Sequence, residues 1–104
     1  MSQQDRIEQG DAERGQVTAH AAEVYESFFV PALFAQFAAP VLDRAGVRPG
    51  DRVLDVGCGT GVVARNARTR VGAEGYVAGV DPNDGMLAVA RRREPAIEWH
   101  PGTA

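Results

Sequence analysis

Lysine is absent from the 104 residues, so all 11 basic side chains are arginine. Chemistry that needs a side-chain amine at a defined place is thereby excluded, whether a Schiff base or the lysine of a Gly-Lys-Ser/Thr phosphate loop. Cysteine occurs once, as Cys58. No internal disulfide can form, and a secreted, stapled scaffold has no support. No apolar run approaches the roughly 20 residues that span a bilayer, and the polar N-terminus has no signal-peptide core. An excess of positive charge is lacking too: 14 acidic residues against 11 basic ones give −3 at pH 7, which argues against a nucleic-acid partner. The expectation is a cytoplasmic protein with no membrane span. With 44% apolar and 24% charged residues, the composition is that of an ordinary globular domain. The length suits one domain with one modest core.

Residues 1–16 are polar and read as a flexible tail, leaving 17–104 as the folded unit. Ala21, Val24, Tyr25 and Phe28 form an apolar stripe on a first helix, which Pro31 should interrupt. Leu33, Phe37 and Val41, beside Phe34 and Leu42, mark a second helix over 32–45, with Pro40 as a kink or the start of a fresh turn and Gly46 as its stop. Arg48-Pro49-Gly50-Asp51 reads as a type II turn. Val53 to Val56 suits a strand buried on both faces. Glycines at 57, 59 and 61 then lead into a helix ending near Val71. Its inner face would be Val63, Ala67 and Val71, with Arg65 and Arg68 in water. A second strand spans 75–81, where Gly79 suggests close backbone approach. Asn83 is a good N-cap for a helix that turns Met86, Leu87 and Ala90 inward. Arg91, Arg92 and Arg93 fall in its last turn, where a solvated, dipole-complementing end is the reading. A third strand over 96–100 alternates Ile97 and Trp99 with Glu98 and His100. Strand, helix, strand, helix, strand predicts an α/β fold with parallel strands and right-handed crossovers.

The glycine turn carries the chemistry. A strand that ends in glycines and opens a helix brings main-chain N–H groups within reach of a ligand at the carboxyl edge of the sheet. Twenty residues after Gly61 the second strand ends in Asp81, placed to accept hydrogen bonds from both ribose hydroxyls. Gly-x-Gly-x-x-Gly would require glycine at 62, where Val62 stands; the spacing here is Gly-x-Gly-x-Gly. Asp55, two residues before the first glycine, would repel a pyrophosphate and suit a cationic end. S-adenosylmethionine, with its adenosine, sulfonium and ammonium, fits Asp55 and Asp81 better than NAD does.

Val53–Gly61 resembles motif I of the class I S-adenosylmethionine-dependent methyltransferases. Gly79-Val80-Asp81-Pro82-Asn83-Asp84-Gly85-Met86-Leu87 resembles their post-I segment. Ala21 to Glu26 and Val30 to Phe34 are similar to the leading helices of the small-molecule group typified by quinone-biosynthesis C-methyltransferases. The resemblance implies a Rossmann-like three-layer sandwich in which the first three strands lie in the order 3-2-1. It implies that Gly57, Gly59 and Gly61, with Cys58 between them, approach the methionine moiety and that Asp55 holds the ammonium. Asp81 would bind the ribose, with Pro82 and Met86 near the adenine. A Gly-Asp-Ala that contacts adenine in the family corresponds to Gly102-Thr103-Ala104, so Thr103 stands for the carboxylate. Tyr25 is the lid candidate.

The family fold has seven strands, and this chain stops after the third. The expectation is a cofactor-binding part with an incomplete C-terminus. It would leave Val53–Val56 as an exposed apolar edge through which the chain could associate. The acceptor would be a small molecule, attacking the sulfonium methyl in line; no catalytic base stands out, and no metal is called for. Two alternatives stay open: a non-catalytic nucleoside-binding or interaction module, and an NAD-dependent oxidoreductase half-domain, which Val62 and Asp55 disfavour. Cys58 reads as a small filler rather than a reactive thiol. His20 and His100 lack ligand-like spacing. The aromatics Tyr25, Phe28, Phe29, Phe34 and Phe37 read as packing on the sheet before any lid role.

Overall fold

A computed structural model describes residues 18–104. The expected tail, and Val17 after it, lie outside the described residues. Three helical segments lead: α1 (Ala19–Val24), a π-helical stretch (Tyr25–Phe34) and α2 (Ala35–Ala45). They are followed by β1 (Arg52–Val56), α3 (Val62–Val71), β2 (Tyr76–Asp81), α4 (Asp84–Arg93) and β3 (Glu98–Pro101). Thr18 caps α1, its hydroxyl accepting from the Ala21 N–H at 3.1 Å. Pro31 does not interrupt the leading helix as expected. The backbone winds through it as π-helix from Tyr25 to Phe34, so the α-helical pattern ends at Val24, ahead of the proline. Pro40 likewise lies inside α2, on its exposed side. Gly46, at φ 73°, ends that helix in a left-handed cap, its N–H and that of Val47 returning to Asp43 O and Leu42 O. The turn at 48–51 closes through Asp51 N–H to Arg48 O at 3.1 Å, with Gly50 at φ 85°.

The sheet is parallel with β2 central, β1 and β3 at its sides, the expected order read from either edge. Register sorts its side chains into two sets. Val53 pairs with Val77, and Asp55, Gly79 and Trp99 share a row; this face carries α3 and α4. Ala64, Ala67 and Val71 of α3 and Leu87 and Ala90 of α4 join Val77, Ile97 and Trp99 in the core. On the opposite face lie Arg52 beside Tyr76, Leu54 beside Ala78 and Glu98, and Val56 beside Val80 and His100. Among the described residues no helix covers that face. Leu54 is 61% exposed and Val56 49%, so β1 is buried on one side rather than two.

The leading helices pack chiefly on the helix layer, α1 against α4 and α2 against α3. This corrects the expected stripes. Ala22 and Glu26 of the first helical run are buried, while Val24 and Phe28 are exposed. Ala38 and Leu42 of α2 are buried, while Phe34, Phe37 and Val41 are exposed. A shallow helix–helix approach favours small residues at the contact, which displaces the bulky ones outward. Phe28, Phe34 and Phe37 therefore do not pack on the sheet; the side chain of Phe29 lies outside the described ones. Tyr25 is half-buried, its ring 5.6 Å from that of Phe34.

Candidate functional site

The carboxyl ends of β1 and β2 bring the glycine turn and Asp81 together. Gly57 and Cys58 donate their N–H groups to Val80 O at 2.7 and 3.0 Å, and Gly61 donates to Cys58 O at 3.0 Å. Gly59 donates to Asp81 Oδ2 at 2.9 Å, and the other carboxylate oxygen accepts from the Asn83 N–H at 2.8 Å. These N–H groups thus have partners within the protein. What the turn leaves for a ligand is space: a Cβ on Gly57 or Gly59 would meet nothing within 4 Å. Asp81 is 9% exposed, and among the described residues its two oxygens accept one N–H each, where an ionised carboxylate offers about four lone-pair sites.

Gly61 belongs to the packing rather than to that space. At φ 91° it caps α3, and a Cβ there would sit 2.4 Å from the Trp99 indole. A Cβ on Gly79 would lie 2.6 Å from the same ring and 3.0 Å from Cys58 Sγ. One indole therefore demands two glycines, and its Nε1 donates to Glu94 O at 2.9 Å. The close approach expected at Gly79 is to this side chain.

Asp55 is half-buried beneath the turn and accepts from the Ala64 N–H in the first turn of α3. A helix N-terminus favours an anion, yet burial, helped by the charge of Asp81, raises the Asp55 carboxyl above its ordinary value. Desolvation and the same two carboxylates push the Cys58 thiol up to about 12. At 7% exposure, that thiol is a packing group and not a nucleophile. Tyr25 lies within electrostatic reach of Asp81: burial first, then Glu26 and Asp81, raise its hydroxyl above the ordinary value.

Asn83 caps α4, accepting from the Met86 N–H at 3.0 Å; Met86 is half-buried, and Pro82, next to Asp81 in sequence, is exposed. Gly102 N–H returns to Asp81 O at 3.2 Å. Thr103 and Ala104 follow it, exposed. His100 is exposed, with Nε2 3.2 Å from Glu98 Oε2, and His20 is exposed on α1. No cluster of metal-ligating side chains occurs among the described residues, and no helix among them is long and apolar enough to cross a membrane.

Three polar residues escaped the sequence reading. Glu26 is 5% exposed and Thr60 1%; they hydrogen-bond at 3.1 Å, and Arg65 pairs with Glu26. Arg65 is therefore not a solvated residue. The arginines of α4 are exposed in its last turn, as expected, and also make contacts: Arg92 and Arg93 pair with Glu23, and Arg91 reaches Trp99 O at 3.2 Å. The signal available was a carboxylate one turn after Ala22, on the same helical row as a small residue.

A methyltransferase-domain family model matches residues 53–104, half of the chain. The chain belongs to this methyltransferase-domain family. Among its relatives, a ubiquinone/menaquinone biosynthesis C-methyltransferase UbiE of Stenotrophomonas maltophilia is 57% identical over 49 residues, covering 47% of this chain and 19% of the relative. A demethylmenaquinone methyltransferase of Symbiobacterium thermophilum is 51% identical over 52 residues, covering 50% and 21%. The chain thus spans about a fifth of the length of these curated relatives. A solved structure of CalS10 with bound S-adenosylmethionine, an amino pentose methyltransferase from Micromonospora echinaspora, superposes with a TM-score of 0.61 at 38% identity, covering 76% of this chain and 34% of that one. The glycine turn at 57–61 and the segment 79–87 both fall inside the matched half of this chain.

Proposed function

We propose that residues 17–104 form the cofactor-binding unit of an S-adenosylmethionine-dependent methyltransferase acting on a small-molecule acceptor, a quinol-type ring in view of the named relatives. One observation carries this reading: Asp81, at the carboxyl end of β2, is bonded to Gly59 of the turn after β1, where a Cβ on Gly57 or Gly59 would meet open space. A ribose diol would take the remaining lone pairs of Asp81. Gly57 and Gly59 leave room for the methionine portion, with Gly61 and Cys58 supporting the turn from below. Asp55, an anion whose ionisation is opposed by burial, is stabilised by an approaching ammonium, directly or through water. Pro82 and Met86 flank the adenine on one side and Thr103 and Ala104 on the other, with the main chain in place of a carboxylate at Thr103.

The cofactor, when bound, supplies a methyl group on a sulfonium, a leaving group that needs no activation. The protein's part is alignment and exclusion of water. Tyr25, within electrostatic reach of Asp81 and with its ring tilted against that of Phe34, serves as the lid over the acceptor side. The relatives extend well past the fifth of their length that is matched here; the acceptor pocket would draw on that part, and the exposed edge of β1 is where association would occur. A cytoplasmic location and a small-molecule rather than nucleic-acid partner complete the reading.

Isothermal titration with S-adenosylmethionine tests it. Asp81→Asn removes the charge and keeps an acceptor for one of the two N–H groups, Gly59 or Asn83, and about a tenfold or greater loss of affinity is expected, matching one charge-assisted hydrogen-bond pair. Unchanged affinity in Asp81→Asn, or tighter binding of NADH than of S-adenosylmethionine, overturns the assignment.

A further inference from the structure

The polar cluster behind the glycine turn is more connected than packing requires. Thr60 stands between Gly59, which donates to Asp81, and Gly61, which opens α3. Both polar ends of Thr60 are held. Its hydroxyl donates to Glu26 Oε2 at 3.1 Å, and its carbonyl accepts from Arg65 Nη1 at 2.6 Å. Arg65 closes the triangle by pairing its Nη2 with Glu26 Oε1, and Arg93 Nε stands 3.9 Å from the same oxygen. Glu26 comes from the leading helices, Thr60 and Arg65 from the β1–α3 junction, and Arg93 from the end of α4. Three separate parts of the chain meet on one buried carboxylate.

Burying a carboxylate is costly unless it is paired and fully hydrogen-bonded, and apolar packing of the same volume is often as stable. A hydrophobic residue at 26 would hold α1 against α4 as well as Ala22 does. It could not grip a hydroxyl and a guanidinium that themselves grip the turn. We propose that Glu26 is a positioning residue for the cofactor cradle. Through Thr60 it sets the turn so that the Gly59 N–H meets Asp81, and through its place in the chain it seats Tyr25 at the mouth of the same site. The leading helices and the cradle then order together. This rests on the cofactor reading above for its ligand, but the Glu26–Thr60–Gly59 linkage stands on geometry alone.

The test uses the whole chain and two readouts: amide hydrogen exchange of Gly59, compared with the β2 amides, and S-adenosylhomocysteine affinity by titration calorimetry. Thr60→Val removes the hydroxyl at constant shape, Thr60→Ser restores it, and Glu26→Gln keeps an acceptor but discharges the carboxylate. Thr60→Val is expected to lower Gly59 protection about tenfold while the β2 amides keep theirs, a local rather than global opening. It should also weaken ligand binding about tenfold, as for one lost hydrogen bond to a charged group. Glu26→Gln should fall between, and Thr60→Ser should return both readouts to wild-type values. Should Thr60→Val fail to fold, Glu26→Gln is read the same way. Loss of protection at Gly59 and β2 together marks a merely structural role and overturns the proposal, as does wild-type Gly59 protection in both Thr60→Val and Glu26→Gln. If the wild-type chain binds no S-adenosylhomocysteine, the cofactor reading fails by itself, and Gly59 exchange still decides the role of Glu26.

Discussion

The two faces of the sheet are built from strands of one composition and have opposite fates. Val77 and Leu54 are both aliphatic residues inside short apolar strands, yet Val77 is 3% exposed and Leu54 61%. Val77 meets the helices α3 and α4, whereas Leu54 borders a shallow depression lined by Arg52, Tyr76, Ala78 and His100. The covered face ends in the glycine turn, Asp55 and Asp81; the open face has no such constellation. Polar anchoring differs as well. On the covered side the buried groups are tied into networks that cross the chain, such as Glu26 with Thr60 and Arg65. On the open side the pairs are exposed and local to the sheet, Tyr76 donating to Glu98 at 2.5 Å and the Arg52 guanidinium stacking 4.7 Å from the Tyr76 ring. Such exposed pairs contribute little to stability. The lesson is that an apolar strand pattern reports what a strand can bury, while the crossover helices decide which side is buried here.

If the covered face carries the fold, Trp99→Ala is the substitution that harms it most. It empties the space over Gly61 and Gly79 and should cost about 3–5 kcal/mol, read as a lower urea midpoint. A loss under 1 kcal/mol would mean that the indole is not central to the core. Gly79→Ala fills rather than empties, forcing a methyl against the same ring. About 1–3 kcal/mol of destabilisation is expected by thermal or chemical unfolding, and Trp99→Leu introduced together with it should recover part of the loss.

Asp55→Asn sharpens the comparison in another way, because site and core should respond with opposite signs. The folded-state carboxyl is raised by burial, so ionising Asp55 costs the folded protein more than the unfolded chain. Stability present below the unfolded value is lost as pH rises through the raised one. At pH 7 the asparagine variant should therefore be as stable as wild type or up to about 1 kcal/mol more so, with the advantage vanishing under acid conditions. S-adenosylmethionine affinity should fall about tenfold or more, as for a charge-assisted contact, and wild-type affinity should itself weaken as pH falls through the Asp55 value. Equal pH profiles for the two proteins would remove Asp55 from the ammonium. The smallest effect belongs to the open face. Leu54→Thr should change unfolding free energy by less than about 0.5 kcal/mol, while reducing any self-association seen by sedimentation.

What could be read along the chain were the features that near neighbours determine. The Pro49-Gly50 turn, the stop at Gly46, the cap at Asn83 and the strand–glycine–helix passage each depend on residues within about four positions, so backbone chemistry alone specifies them. The spacing from the glycine turn to Asp81 was legible for the same reason, because a helix and a strand have fixed rises. Tertiary structure decided what distant residues do to one another. It gave Arg65 and Thr60 a partner on the leading helices, joined Arg92 and Arg93 to Glu23, put Gly61 under an indole, turned Phe28 and Phe37 outward and carried the helix past Pro31. Periodicity cannot express those outcomes, since each depends on which surface arrives from elsewhere in the chain, and a buried charge or a missing side chain acquires its meaning only from that arrival.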